Sequence, residues 1–165
     1  MTTVNSASSG EQIDIGDGVT VPAEVTARGT FSGGYRAELV AAYDADSGRY
    51  VTRRVVVEAD DGQEVTGERL RELPVARLLR LATQGAVAPY LAQHPADMGK
   101  AGPTTETLQQ VARVYRLALL SGDAPTQAVA EWLAVPRSTA GRWVTRARDR
   151  GLLTVVDPRA GKVES

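Results

Sequence analysis

The chain contains no cysteine, which excludes disulfides, thiol catalysis and the common structural zinc sites together. It has a single histidine, His94, so no imidazole pair exists for a metal and no Ser/His/Asp arrangement is suggested. Aromatic residues are 5% of its 165 residues, so any core is mostly aliphatic. No apolar run approaches the roughly 18 residues of a spanning helix. Met1 to Gly10 lacks the basic start and apolar stretch of a secretory signal. Lysine is scarce too, two against seventeen arginines, a ratio that a GC-rich genome accounts for. What remains is ordinary for a globular protein, with 42% apolar and 24% charged residues. The expectation is a soluble, cytoplasmic protein of one domain, or two small ones joined by a linker, with no membrane partner.

The net charge of −1 conceals an asymmetry. Met1 to Pro103 holds ten Lys/Arg against fourteen Asp/Glu, whereas Thr104 to Ser165 holds nine against six. Five arginines crowd between Pro136 and Arg150, opposed by Asp149 alone. Such a split points to a polyanion-binding C-terminal end.

The patterning divides at the same place. Residues 1–11, rich in Ser, Thr and Gly, read as a disordered start. From Gln12 to Glu58 the pattern is β, with Val19, Val21 and Val25, then Tyr35 to Tyr43, then Tyr50 to Glu58 as successive strands. The turn Asp44-Ala45-Asp46-Ser47-Gly48 suits a hairpin, because Asp bonds nearby amides and Gly tolerates φ > 0. Three or four antiparallel strands in a meander are expected. Thr66 caps a short helix from Gly67. Pro74 opens another, with Val75, Leu78, Leu79 and Ala82 on one stripe, that ends near Gly85. Ala86 to Gln93 is expected as a further short helical turn. Residues 94–103, with two prolines and two glycines, read as a linker, so that residues 12–93 form a dimerisation or sensing domain.

Beyond Pro103 the periodicity is helical. Thr104 or Thr105 caps a helix with Leu108, Val111, Tyr115, Ala118 and Leu119 on one face, and Ser121-Gly122-Asp123 stops it. A second helix starts at Pro125 and buries Val129, Ala130 and Leu133. After Ala134-Val135-Pro136 a third buries Ala140, Trp143, Val144 and Ala147. Its opposite face carries Arg137, Ser138, Thr139, Gly141, Arg142, Thr145 and Arg146, and Arg148 is expected to attract phosphate with them. Most of these side chains reach phosphates and base edges, and Gly141 lets the backbone come close.

The run from Val129 to Val144, VAEWLAVPRSTAGRWV, resembles the helix-turn-helix of bacterial repressors. The resemblance is strict over about 20 residues and extends over residues 104–153 with the first helix. It implies that Ala130 and Val135 are structural and that Arg137, Ser138, Thr139 and Arg142 face DNA. Two positions depart from the pattern. Ala134 replaces the usual turn glycine, so either φ > 0 there carries strain or the turn differs. Pro136 stands where Ser usually caps the third helix. Arg146 to Leu153 resembles the end of the recognition helix in winged-helix regulators, and Thr154 to Lys162 leaves room for only a reduced wing.

Other candidates have plainer explanations. The pairs Asp44/Asp46 and Asp60/Asp61 read as turn residues, since the ligand spacing of a calcium loop is absent. His94 lies in the linker. Ser32-Gly33-Gly34 lacks the lysine of a phosphate loop. Tyr35, Tyr43 and Tyr50 suit strand packing better than base stacking. The expected fold is therefore α+β: a small N-terminal antiparallel β-meander with covering helices, and an all-α helix-turn-helix domain over residues 104–165. The expected function is sequence-specific binding of double-stranded DNA as a bacterial transcriptional regulator, without catalysis, metal or cofactor. Because one helix reads few base pairs, a homodimer through residues 12–93 is expected. Two alternatives stay open: a phage or mobile-element accessory factor in recombination or replication, and a protein-interaction adaptor that binds no DNA.

Overall fold

The structure, a computed structural model, describes residues 4–16, 18–91 and 98–154. Among these residues it is an α+β fold in which four strands precede five helices. Strands β1 (Val4–Asp14), β2 (Thr20–Phe31), β3 (Tyr35–Asp44) and β4 (Arg49–Ala59) form one antiparallel sheet in the order β1-β2-β3-β4. Alternation sorts the faces. Val21, Val25 and Ala27 of β2 and Tyr35, Ala37, Leu39 and Ala41 of β3 are buried on one side. On the other side the exposed Arg28 and Arg54 both bond Glu38, whose carboxyl is held below the usual range chiefly by Arg28. The β3–β4 turn forms as its composition dictates. Asp44 accepts from the Ser47 amide at 3.1 Å, and Gly48 takes φ 63° while donating to the Asp44 carbonyl.

The first correction concerns the N-terminus. The segment read as a disordered start is β1, paired with β2 from Val4 opposite Gly29 to Asp14 opposite Thr20. Its side chains from Asn5 to Gln12 are exposed, and only Ile13 and Ile15 reach the core margin. A strand held at a sheet edge by backbone bonds needs no apolar alternation, so polar composition concealed it. Its register slips between Ser9 and Gln12. There Gly10 adopts φ 86°, and a Cβ on it would lie 3.1 Å from the Ala23 Cβ.

Helix α1 (Gly67–Glu72) is capped by Thr66, whose hydroxyl accepts from the Arg69 amide at 3.3 Å. Helix α2 (Val75–Leu91) is the second correction, because it runs on through Gly85 instead of ending there. Pro89 removes one intrahelical bond, and Gly85 costs about 1 kcal/mol relative to Ala. Burial of Leu78, Ala82, Thr83 and Val87 outweighs both. A 3-10 turn (Met98–Ala101) occupies the end of the segment read as a linker. It docks so closely that a Cβ on Gly99 would lie 2.1 Å from the Leu133 carbonyl oxygen.

Helices α3 (Thr105–Ser121), α4 (Pro125–Leu133) and α5 (Arg137–Asp149) follow. Thr104 caps α3 by accepting from the Thr107 amide, and Gly122 closes it in the left-handed conformation. The five residues expected on one face of α3 are all buried, but so are Val114, Leu117 and Leu120. Leu117 and Leu120 belong to the core beneath the sheet, with Leu39, Tyr50 and Leu78. Leu108, Val111, Tyr115 and Leu119 belong to a second core with α4 and α5. Helix α3 is thus common to both cores, and the Arg80–Asp123 pair at 3.4 Å ties α2 to the end of α3. No helix among the described residues is long and apolar enough to cross a membrane.

Candidate nucleic-acid interface

Helices α4 and α5 are joined by three residues, and both pack on α3. Proline at the first position of α4 has the preset φ and lacks an amide that would be unsatisfied there in any case. The helix ends in a double bond: Ala134 donates to the Glu131 carbonyl at 3.2 Å and Val135 to the Ala130 carbonyl at 3.0 Å. This is the Schellman closure, which requires a left-handed residue. Ala134 supplies it at φ 52° and ψ 44°, the only non-glycine residue with positive φ among the described residues. Ala134 therefore carries the left-handed strain that glycine would not. Ala134→Gly is expected to raise stability by about 1 kcal/mol, since the relief of left-handed strain exceeds the added freedom of the unfolded chain. Urea unfolding of the two proteins checks this; an unchanged or lower midpoint refutes it.

Val135 packs against the helical core, and Pro136 leads into α5 without a side-chain cap. The Pro136 carbonyl accepts from the Thr139 and Ala140 amides, so the helix starts cleanly despite the missing hydroxyl. Ala140, Trp143, Val144 and Ala147 are buried, as their spacing requires. At i, i+4, i+7 and i+11 the opposite stripe carries Ser138, Arg142, Thr145 and Asp149, all exposed. Exposed Arg137 and Arg146 flank the stripe, with half-buried Gly141 and Thr139 beside them. Two bonds stay within the helix: Arg142 Nε reaches the Ser138 carbonyl at 3.4 Å, and the Thr145 hydroxyl donates to the Gly141 carbonyl at 3.2 Å. Among the described residues Arg137, Arg142 and Arg146 form no ion pair, so their charge faces outward uncompensated except by Asp149.

Arg148 is placed differently. Its guanidinium lies 5.1 Å from the centre of the Tyr115 ring, and Nη2 donates to the Tyr115 hydroxyl at 2.8 Å. It locks α5 onto α3 and is half-buried, so it is not presented with the other arginines. Asp149, read in the sequence only as the one acid among the arginines, also lies on the stripe, as counting seven and four residues on from Arg142 and Thr145 shows. Beyond α5, Gly151 and Leu152 donate back to Arg148 and Ala147, and Leu153 is buried. Arg116 of α3 holds the Leu152 carbonyl at 2.5 Å. The reduced wing expected over Thr154 to Lys162 lies, apart from Thr154, outside the described residues, as does His94.

The remaining candidates fall to packing. Tyr35 stacks on Phe31 at 5.4 Å, and Tyr43 meets Tyr50 edge-on at 6.0 Å. Buried Tyr50 donates to the Pro22 carbonyl at 2.6 Å, and burial pushes its hydroxyl pKa far up. Asp44 is held below the usual carboxylate range mainly by Ser47, as a turn residue would be. No group of three His, Asp or Glu suited to a metal occurs among the described residues. No protein-family model matches the chain, and comparison with curated proteins and with solved structures gives no match.

Proposed function

We propose that the chain is a sequence-specific DNA-binding protein, a bacterial transcriptional regulator that works in the cytoplasm as a homodimer through residues 12–93. In this reading α5 enters the major groove. The observation that carries it is the outward stripe of α5: one face of the helix is buried, and the other presents three arginines that form no ion pair with any described residue, beside three hydroxyl side chains. Arg137 and Arg146 attract phosphates, Arg142 reaches base edges, and Ser138, Thr139 and Thr145 fix register. Arg148 contributes by holding the helix rather than by touching DNA. Binding, not catalysis, is the activity.

The test is a mobility-shift selection with the full-length chain on random genomic duplexes at low salt. Enrichment of one sequence motif is the expected result. Failure to shift any duplex overturns the reading and leaves the adaptor alternative. Asp149 at the end of the stripe is the feature that favours that alternative, because a carboxylate opposes phosphate. The location of the enriched sites, at promoters or at recombination and replication sites, separates a regulator from an accessory factor.

A further inference from the structure

The sheet is open, and its two edges are built differently. Strand β4 carries Arg49, Arg53, Arg54 and Glu58, and a register slip opposite Val40 and Ala41 distorts its run. Charge and irregularity are the devices that keep a free edge from pairing. Strand β1, at the other edge, has neither between Val4 and Ser9: no charged residue, no proline and uninterrupted register with β2. In an antiparallel pair alternate residues send both backbone groups to the same neighbour. About half the amides and carbonyls of this segment therefore point away from β2, where no described strand lies.

We propose that this edge pairs with the same edge of a second copy. Two chains join antiparallel through Val4–Ser8, making one continuous sheet of two four-stranded halves about a two-fold axis. The inference rests on the dimeric part of the DNA-binding reading and replaces its contact through residues 12–93 with this edge.

Three observations favour a second copy over an unrelated strand. The segment is self-complementary. With the axis at Ser6, Val4 meets Ser8, Asn5 meets Ala7 and Ser6 meets its own copy, each pair on one face of the sheet, so no like charges oppose one another. Moving the axis toward Glu11 and Asp14 would set carboxylates against each other, so charge also selects the register. The regular run ends where it should. The register slip spans Gly10 and Glu11, so regular pairing stops at the first charged side chain. Finally, the helix layer has room for its mate. Helix α2 lies across β1 and β2. With strands about 4.8 Å apart, a helix over the β1–β2 seam stands about 5 Å from such an axis, and the two copies of α2 stand about 10 Å apart. That is close to the 8–10 Å packing distance of helices. On the β1 side α2 presents Gly85, Ala86 and Pro89, which with Ser6 and Ser8 border an open hollow of about 330 Å³.

The absence of cysteine makes the test direct. Full-length chains carrying one substitution each, Asn5→Cys, Ser6→Cys, Ala7→Cys or Ser8→Cys, are oxidised beside Glu58→Cys on β4. Disulfide-linked dimers are expected chiefly from Ser6→Cys, whose two copies face each other across the axis, less from its neighbours and none from Glu58→Cys. In sedimentation equilibrium the unsubstituted chain is expected to dimerise. Asn5→Lys with Ala7→Lys, both at exposed positions, should weaken association by about tenfold or more, since like charges across a strand pair destabilise it. Glu58→Lys changes the charge equally and should not. Unaltered thermal melts show that each variant is folded. A monomeric native chain, or a dimer that cross-links through Glu58→Cys and not through β1, overturns the proposal. Cross-linking through β1 without any duplex shift upholds it while removing the DNA reading; a monomer that shifts DNA does the reverse.

Discussion

Trp143→Ala is expected to cost about 3–5 kcal/mol of folding stability, the usual range for truncating a large buried aromatic. The side chain is 7% exposed, and it sits in the helical core with Leu108, Val111 and Tyr115 of α3 and Val129 and Leu133 of α4. Its loss leaves a cavity where the three helices meet. Against a total stability of about 5–15 kcal/mol, that is a large fraction. The adjacent residue should behave in the opposite way. Arg142 is exposed, and its one bond is a long contact with the Ser138 carbonyl, so Arg142→Ala should change stability by less than about 0.5 kcal/mol. If it reads a base edge, DNA binding weakens by about 1–3 kcal/mol. Urea melts and DNA titrations on both variants separate framework from readout. Loss of fold with Arg142→Ala and not with Trp143→Ala would mean that the helix phase is wrong.

That phase was legible because α5 is amphipathic in the simplest way. Ala140, Trp143, Val144 and Ala147 fall on one stripe, and all four are buried. The strands with apolar alternation were legible for the same reason. Three features escaped, each for a physical cause. Strand β1 has no alternation, since its side chains are mostly in solvent and backbone pairing with β2 chiefly holds it. Helix α2 crosses Gly85 because tertiary burial on either side outweighs one weak position. The double role of α3 was in principle visible. Val114, Leu117 and Leu120 lie off the stripe through Leu108, Val111 and Tyr115, and the last turn, Leu117 to Leu120, is apolar on every side, as a buried helix end is. Counting only the best stripe concealed this. A cut at residue 103 would therefore strip Leu117 and Leu120 from the sheet core, so tests of the interface belong on the full chain. At the site itself, residue types indicated which arginines lie on α5, but not that Arg148 turns to Tyr115. That choice depends on a phenol 33 residues away, which no local pattern contains.

Binding by the full chain should fall steeply with salt. On each α5, Arg137 and Arg146 are exposed and form no ion pair with a described residue, so each can displace counterions from a phosphate, while Arg142 is left to the base edges. Two such helices in a dimer neutralise about four phosphates, and at −0.9 per contact the log–log slope is about −3.6. Affinity then drops by about 150-fold between 50 and 200 mM salt. A single α5 on the duplex makes half those contacts, so a slope of about −1.8 marks binding by a monomer. The arginines should separate within this response. Arg146→Ala, lacking a phosphate contact on each helix, should make the slope shallower by about 2 in a dimer and weaken all sequences alike. Arg142→Ala should instead narrow the gap between specific and random duplexes. Asp149→Asn removes the one carboxylate on the stripe and should strengthen binding to both. Fluorescence anisotropy at several salt concentrations measures every one of these. A flat salt response in the native chain would mean that the arginines of α5 do not meet phosphate, and the stripe would have to be assigned to a protein partner.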